Sequence, residues 1–250
     1  MEDVKQLAAW LRESRCAAFF GGAGVSTESG MKDYRSEDGI YHTVKEYGVS
    51  PEVILSHDFF IEQPGVFYDF YRRFFLTEAK PNPAHLALAE LERRGLLQGV
   101  ITQNIDGLHQ AAGSRRVLEL HGNAGRFSCP SCGLAGDAWV REEIARGEIP
   151  RCPSCGGVMK PEVTLYGERL DDRVLSDAVE LVRQADLLIV GGTSLAVSPA
   201  NSLALYFGGA HLVMINRDAT PFDSRADLIL RGKIGQVMTA VMEELGEFCR

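Results

Sequence analysis

Short apolar runs alternate with stretches of helical periodicity along most of the chain. Apolar runs of this length, bounded by glycine and short polar residues, are typical of buried strands. The pattern predicts strands at 16–20, 97–102, 117–120, 186–194, 211–216 and 226–232. Between them, the pattern predicts helices around Val4–Leu11, two within 50–77, one over 82–95, one that starts near 198 and one from Gln236.

The helix over 82–95 carries the clearest boundary signals. Asn82 and Pro83 suit the cap and first turn of a helix, and Gly95 suits its C-terminal end. Ser50 and Pro51 repeat the opening pair. Strands that alternate with helices predict an α/β fold, a Rossmann-like parallel sheet with helices on both faces.

Five of the strand candidates end in GGAG, TQNID, ELHGN, VGGTS and MINR. Ligands bind at the carboxyl ends of the strands in such sheets, so these ends predict one shared crevice. His121 follows the third of these strands and would lie at the rim of the crevice. An ordinary histidine pKa of about 6.5 suits a proton acceptor near neutral pH, whereas the other five histidines favour surface or packing roles.

The stretch GGAGVSTESGMKDYRS, residues 21 to 36, holds four glycines. Glycine allows a phosphate to approach main-chain N–H groups, but a tight turn has the same composition. The literal GxGxxG fingerprint is absent, and no acidic residue clearly ends a second strand about 20 positions on. The loop alone therefore leaves dinucleotide binding and an ordinary turn equally open.

Two CxxC pairs lie in a polar, glycine-rich region at 124–161 with little helical or strand periodicity. Nineteen residues separate the pairs, which is the spacing of a four-cysteine zinc ribbon. Four cysteine ligands leave no open coordination position, so we expect one structural zinc ion on Cys129, Cys132, Cys152 and Cys155. Two redox CxxC motifs remain the alternative. Cys16 is expected to be a buried strand residue and Cys249 a thiol without a role.

The 250 residues are 45% hydrophobic and 24% charged, with a formal charge of −8, which is typical of a globular protein and unfavourable for broad nucleic-acid binding. No apolar run reaches the roughly 20 residues that span a bilayer, and the N-terminus begins acidic. These features predict a soluble, cytoplasmic protein with no membrane contact.

Taken together, GAGVSTESGMKDYR, TQNID, ELHGN, the double CxxC, VTLYGE, GGTSLAV and MIN resemble the ordered motifs of the sirtuins, from about Val4 to Met242. The chain looks most like the compact prokaryotic members. The resemblance implies an NAD-dependent protein-lysine deacylase, with NAD as a co-substrate that is consumed. It also implies an NAD-binding domain of residues 1–123 and 162–250, and a zinc ribbon of 124–161 with helices from 36–77 beside it.

The resemblance assigns the cofactor contacts residue by residue. Ala23, Gly24 and Thr27 would contact the phosphates and the adjoining ribose, and Tyr34 and Arg35 would lie in a flap over the nicotinamide ribose. Gln103 would contact the ribose, and Asn104, the second catalytic residue beside His121, would order water and the sugar hydroxyls. The remaining assignments are Ile105 and Asp106 to the carboxamide, and Thr193, Ser194, Asn216 and Ile234 to the adenosine end. Helix capping is the alternative for Thr193, Ser194 and Asp106.

The resemblance also implies the reaction. The acyl oxygen attacks the ribose carbon that carries nicotinamide, and nicotinamide leaves. His121 then activates a ribose hydroxyl, which attacks the resulting imidate, and hydrolysis releases lysine and O-acyl-ADP-ribose. The acyl-lysine peptide would add as an extended strand between Val163–Glu168 and Ser194–Val197. Tyr68 and Arg72 are one residue too far apart to match the pair that reads acidic acyl groups in some sirtuins, and Thr27 stands where those carry Ala. Acetyl and other uncharged groups are therefore expected.

The aromatic residues around this pair favour the apolar face of a helix over the lining of an acyl tunnel, which stays the second interpretation. They are Phe67, Phe70, Tyr71, Phe74 and Phe75. Lys32 and Tyr34 depart from the family pattern, which has Pro and Phe there, so the order of the flap and the NAD affinity are open. Two other functions stay open as well: a mono-ADP-ribosyltransferase on the same scaffold, and a non-catalytic NAD-binding or zinc-ribbon module.

Overall fold

Six parallel strands form the main sheet in the computed structural model, which describes residues 2–31, 47–76, 78–195 and 200–246. The strands are β1 Ala17–Gly21, β2 Gly99–Thr102, β3 Val117–Glu119, β4 Gly122–Ser128, β5 Lys160–Val163, β6 Leu187–Gly191, β7 His211–Asn216 and β8 Leu228–Arg231. The main sheet has the order β3-β2-β1-β6-β7-β8, and β4 pairs with β5 in an antiparallel sheet. The predicted parallel sheet is confirmed.

The described helices are α1 Glu2–Glu13, α2 Pro51–Ile54, α3 His57–Glu62, α4 Pro64–Phe75, α5 Pro83–Arg93, α6 Leu108–Ala111, α7 Asp137–Ala145, α8 Asp172–Gln184 and α9 Ile234–Leu245. Short 3-10 segments cover Ala23–Val25, Thr27–Ser29, Ala200–Tyr206 and Asp223–Arg225. None of the described helices is both long and apolar enough to cross a bilayer.

Successive residues of β1 point to opposite faces of the sheet, and helices cover both faces. Phe19 packs in one core with α1, α5 and α9, whereas Ala18 and Phe20 pack in a second core with α8 and the 200–206 segment. The central strands β1, β2 and β6 are fully buried, as their continuous apolar sequence requires.

A third apolar cluster joins α2–α4 to the region of the four cysteines. Phe67 and Tyr71 of α4 pack with Phe127 of β4 and with Val140 and Ile144 of α7. The expectation of little regular structure in 124–161 is therefore wrong: β4 crosses the expected boundary at 123, and α7 forms because Val140 and Ile144 are one helical turn apart and bury the same face.

Three other predictions need correction. Residues 51–75 form three helices rather than two, because Ser56 caps α3 and pairs with Tyr166 in a short bridge, and Pro64 begins α4. Helix α9 begins at Ile234, two residues before the predicted start. Cys16 precedes β1 and is only half-buried, so it is not a buried strand residue.

Helix α5 has the predicted boundaries. The side chain of Asn82 accepts from Ala84 N at 2.9 Å, and Gly95 has φ 74°. Asn82 also donates to Val25 O at 2.7 Å, so the same cap ties the helix to the loop after β1.

His109 on α6 is a buried histidine whose ring nitrogens have no hydrogen-bond partner within the described part of the chain. Its ring lies 4.8 Å from that of His85 and 6.3 Å from that of Phe19, measured between centroids. Burial, and secondly the nearby charge of His85, lower the pKa of His109 to about 3. The folded protein therefore keeps this ring neutral in mild acid.

We expect this burial to make the protein less stable in acid. Between pH 6.5 and 3 the unfolded chain binds a proton at His109 that the folded chain does not, so this stability is complete above pH ~6.5 and lost progressively below it. From pH 7 to pH 5 the loss is about 2 kcal/mol, and His109→Leu should remove that part of it. Urea unfolding at the two pH values measures it.

Ile101→Val provides the control, since it shortens a buried side chain that does not titrate. This variant should lower the free energy of unfolding by about 1 kcal/mol at both pH values. An unchanged pH dependence in His109→Leu would contradict the buried neutral state of His109.

Candidate active site

The loops after β1 and β6 meet at the point where the strand order reverses. Gly24 N donates to Gly192 O at 2.8 Å, and Gly22 N donates to Gly191 O at 3.3 Å. A Cβ on Gly24 would lie 2.8 Å from Gly192 Cα, and a Cβ on Gly192, where φ is 60°, would lie 2.4 Å from Val25 N. A side chain at either position would clash with the backbone of the other loop, so both positions require glycine.

A cavity of about 1770 Å³ opens at these carboxyl ends. It is lined by every predicted cofactor or catalytic residue in the described part of the chain: Ala23, Gly24, Thr27, Gln103, Asn104, Ile105, Asp106, His121, Thr193, Ser194, Asn216 and Ile234. The polar residues at the carboxyl ends of the strands thus line one cavity, as expected. Lys32, Tyr34, Arg35, Val197 and Cys249 lie outside the described residues.

His121 lies between β3 and β4, where its imidazole faces the cavity. Nδ1 is 2.8 Å from Gln103 O; because a carbonyl only accepts, Nδ1 carries the proton of the neutral ring. Burial lowers the pKa of His121, and the bond to Gln103 opposes this in part. The neutral ring therefore presents an unprotonated Nε2 at neutral pH.

Ser26 connects three side chains beneath the loop. Its hydroxyl donates to Asp106 at 2.6 Å and accepts from Asn104 Nδ2 at 3.0 Å. His85 Nε2 lies 3.4 Å from the same oxygen, while His85 Nδ1 accepts from Asn82 N at 3.3 Å, so Nε2 is the nitrogen that carries the proton. Burial lowers the pKa of His85, opposed by the charge of Asp106. The network thus contains a neutral histidine.

Asp106 uses both oxygens within the protein. Oδ2 accepts from Ser26, and Oδ1 accepts from Leu108 N at 2.9 Å, next to the start of α6. Helix capping, the alternative role for Asp106, therefore accounts for Oδ1 only, and the cap position itself is occupied by Gly107. Each carboxylate oxygen retains capacity for a further donor.

Thr193 and Asn216 join the ends of β6 and β7. Asn216 Oδ1 accepts from Thr193 N at 3.0 Å, and the Thr193 hydroxyl accepts from Leu195 N at 3.1 Å. Two buried donors, Asn216 Nδ2 and Gln103 Nε2, have no hydrogen-bond partner within the described residues. Because buried polar groups are seldom left unpaired, two orphaned donors in one cavity indicate a ligand with hydroxyl or carbonyl oxygens.

The segment Val163–Glu168 also lines the cavity. Tyr166 N donates to Leu55 O and His57 N donates to Tyr166 O, each at 2.9 Å, so one edge of this segment is paired with residues 55–57. Glu168 stabilises the segment, since it accepts from Leu165 N at 2.8 Å and pairs with His57 and Lys160.

Tyr68 and Arg72 do not line the cavity. The buried Tyr68 hydroxyl donates to Met159 O, and Arg72 pairs with Asp69 on the surface. Of the aromatic residues on α4, Tyr71, Phe74 and Phe75 line the cavity, while Phe67 and Phe70 lie in the core.

The side chains of Cys129, Cys132, Cys152 and Cys155 converge. Their sulfur atoms all lie within 4.8 Å of one another, with Cys129–Cys155 at 3.4 Å and Cys132–Cys152 at 3.5 Å. A tetrahedral zinc ion with bonds of about 2.3 Å places its sulfurs about 3.8 Å apart, so this donor set fits the metal. The nearest sulfurs belong to different CxxC pairs, which does not suit two separate redox motifs.

The two cysteine turns have the same backbone. Gly133 N donates to Cys129 O and Gly156 N to Cys152 O, both at 2.8 Å, and these glycines have φ 74° and 76°. The repeated sequence CPSCG carries that signal.

Sequence reasoning missed three residues around the cavity: Ser26, Glu28 and His85. Ser26 and His85 belong to the network beneath the loop, and Glu28 Oε2 accepts from Gly235 N at 2.7 Å at the start of α9. The TES sequence inside the loop was the available signal for Glu28, but its partner lies 207 positions away.

Comparison with known proteins agrees with this geometry. A sequence model of a protein family, described as the Sir2 family, matches residues 22–199. A protein of Cutibacterium acnes named NAD-dependent protein deacetylase is 50% identical to this chain, and the match covers 95% of this chain and 96% of the relative. A protein of Clostridium acetobutylicum with the same name is 46% identical, over 97% of this chain and 99% of the relative.

Solved structures agree as well. A structure of a Sir2 enzyme is 41% identical over 98% of both chains, with a TM-score of 0.88. A complex of Sir2 with a p53 peptide and NAD+ is 37% identical over 97% of this chain and 98% of that one, with a TM-score of 0.87. The resemblance read from the motifs is confirmed, and the chain belongs to the Sir2 family, the sirtuins.

Proposed function

We propose that this chain is an NAD-dependent protein-lysine deacylase that removes acyl groups, acetyl first among them, and releases nicotinamide and O-acyl-ADP-ribose. One observation carries the proposal: His121 faces the cavity that also contains the switch-point loops and the strand-like segment 163–168. A base, a dinucleotide site and a peptide edge are the three parts that the reaction requires. The names of the similar proteins support it.

The dinucleotide site is assigned as the motifs suggest. Ala23, Gly24 and Thr27 contact the phosphates and the adjoining ribose, and Thr193, Ser194, Asn216 and Ile234 contact the adenosine. Gln103 Nε2 and Asn216 Nδ2, the two orphaned donors, suit ribose oxygens. Tyr34 and Arg35, outside the described residues, remain assigned to the flap.

Ile105 and Asp106 bind the nicotinamide carboxamide. Because Ser26 and Leu108 N fix the Asp106 carboxylate, its remaining lone pairs have set directions and would accept from the N–H of a bound carboxamide. Asn104 is fixed in the same way, since its Nδ2 donates to Gly22 O at 3.1 Å and to Ser26. Its Oδ1 is left to accept from water or a sugar hydroxyl.

His121 is the general base. When bound, NAD supplies the ribose carbon at which nicotinamide leaves and the acyl oxygen attaches. Nε2 of His121 then takes the proton of a ribose hydroxyl, and the bond from Nδ1 to Gln103 O stabilises the ring as the charge develops. The lowered pKa keeps the base in its active form at neutral pH.

The acyl-lysine peptide adds as a strand between segment 163–168 and the loop 194–197. Main-chain pairing supplies affinity with little demand on side chains, so we infer a broad choice of protein substrates. Neither Tyr68 nor Arg72 lines the cavity, which supports uncharged groups as substrates.

His121→Ala tests the function. We expect deacylation of an acetyl-lysine peptide to fall about 10²–10⁴-fold, because the base is lost, while NAD still binds. A panel of acyl-lysine peptides with and without NAD, followed by the appearance of deacylated peptide, measures the change, because nicotinamide leaves before the base acts. His211→Ala is the control, since His211 stacks on Trp10 outside the cavity. Full activity in His121→Ala would mean that the base is elsewhere.

We also propose one zinc ion on Cys129, Cys132, Cys152 and Cys155, with a structural role because four thiolates complete its coordination. The ion would hold together the two CPSCG turns, whose Cys129 and Cys152 belong to the same apolar cluster as α4 and α7. The division into residues 1–123 with 162–250 and the ribbon 124–161 stays a prediction, as does the cytoplasmic location.

Removal of the metal tests this role. Cys132→Ala should reduce bound zinc from about one ion per chain to well below that, lower the unfolding temperature and lower activity in parallel. Metal analysis and thermal unfolding measure the two effects. Cys16→Ala should keep its zinc, because Cys16 lies outside the cluster. A wild-type chain without zinc, or with disulfides inside each CxxC pair, would contradict the proposal.

A further inference from the structure

We propose that Glu119 is a positioning residue for the general base: its carboxylate closes the turn that carries His121 and so holds the imidazole where it can reach a ribose hydroxyl. The inference rests on the proposed function, since it takes His121 as the base. Glu119 does not line the cavity, so it acts through the turn and not on a ligand.

The turn between β3 and β4 carries His121. Its main chain is tied to the end of β5, because Thr164 N donates to His121 O at 2.9 Å. Gly122 follows with φ 76°, and a Cβ on this residue would lie 1.9 Å from Glu162 O. These contacts hold the turn on the side of β5, and a side-chain contact holds it across its two ends.

That side-chain contact is made by Glu119. Asn123 Nδ2 donates to Glu119 Oε1 at 2.7 Å, so the residue two positions before His121 is joined to the residue two positions after it. Arg126 donates to the other carboxylate oxygen, Oε2, also at 2.7 Å. Both oxygens of the carboxylate are therefore fixed, and a shift at either end of the turn breaks a hydrogen bond.

Burial makes the contact with Asn123 the stronger of the two. The side chain of Glu119 is 8% exposed, and Asn123 is 9% exposed. A hydrogen bond to a charged group is strong where water cannot replace it, and a buried donor without a partner is costly. The side chain of Arg126 is 47% exposed, so its ion pair contributes less.

Asn123 also packs against the loop that contains Asp106. Asn123 Oδ1 accepts from Gly125 N at 2.7 Å, and a Cβ on Gly107 would lie 3.2 Å from Asn123 Nδ2. Gly107 directly follows Asp106, the proposed contact of the carboxamide. The carboxylate of Glu119 thus sets the turn of the base against the loop beside which nicotinamide leaves.

The two halves of the reaction separate this role from a general effect on the fold. Nicotinamide leaves before the base acts. Labelled nicotinamide can therefore bond again to the same ribose carbon, break its bond to the acyl oxygen and regenerate NAD without His121. Asp106 keeps its own partners, Ser26 and Leu108 N. A displaced imidazole should slow deacylation and spare this exchange.

Glu119→Ala tests the proposal. We expect deacylation of an acetyl-lysine peptide to fall about 10²-fold, the cost of misplacing a reacting group by about 1 Å. Exchange of labelled nicotinamide into NAD, and the dissociation constant for NAD measured by calorimetry, should stay close to those of the wild type. Glu162→Gln is the matched control, because Glu162 pairs with the same Arg126 but its side chain does not span the turn. It should leave both rates unchanged.

Two further variants keep the test decisive if Glu119→Ala does not fold. Glu119→Gln retains an oxygen that accepts from Asn123 and should keep most of the deacylation rate. Asn123→Ser is too short to reach Glu119 and should lower deacylation while it spares exchange. If deacylation falls no further than exchange in the variants that break the contact, the proposal is overturned. A wild-type chain that neither exchanges nor deacylates would instead overturn the proposed function.

Discussion

The backbone contact between Gly24 and Gly192 is the constraint on which the site depends. It locks the loop after β1 to the loop after β6 where the strand order reverses, with no space for a side chain on either residue. Ser26 and Glu28 belong to the loop after β1, and Thr193 belongs to the loop after β6. Any shift between the two loops would separate the proposed phosphate and adenosine contacts, so the glycines fix the geometry before a ligand arrives.

A buried polar network then orients the side chains of this site. His85, Asn104 and Asp106 meet at the Ser26 hydroxyl, which donates one hydrogen bond and accepts from the other two side chains. Such a network is costly if one partner is missing, because the remaining groups are buried. Asn82 connects it to helix α5, so the cap of a structural helix also supports the cavity.

The sequence predicted the parts of the molecule that depend on local pattern. Apolar runs predicted the six strands of the main sheet but not β4 and β5, whose sequences are less apolar. The rule for strand ends brought residues such as Asn104, His121 and Asn216 to one cavity. Ser26 and Glu28 escaped because their partners lie far away in the chain, up to 207 positions for Glu28. The breaks at Ser56 and Gln63 and the helix α7 escaped because tertiary packing, rather than local periodicity, decides them.

The most direct measurement of the central claim follows the ADP-ribose of NAD through one round of reaction. The purified chain is given NAD labelled in its ADP-ribose part together with an acetyl-lysine peptide. A deacylase yields one nicotinamide and one labelled O-acetyl-ADP-ribose for each lysine released, and leaves the protein unlabelled. Label that stays attached to protein or peptide while the lysine remains acetylated would contradict this activity and favour a mono-ADP-ribosyltransferase.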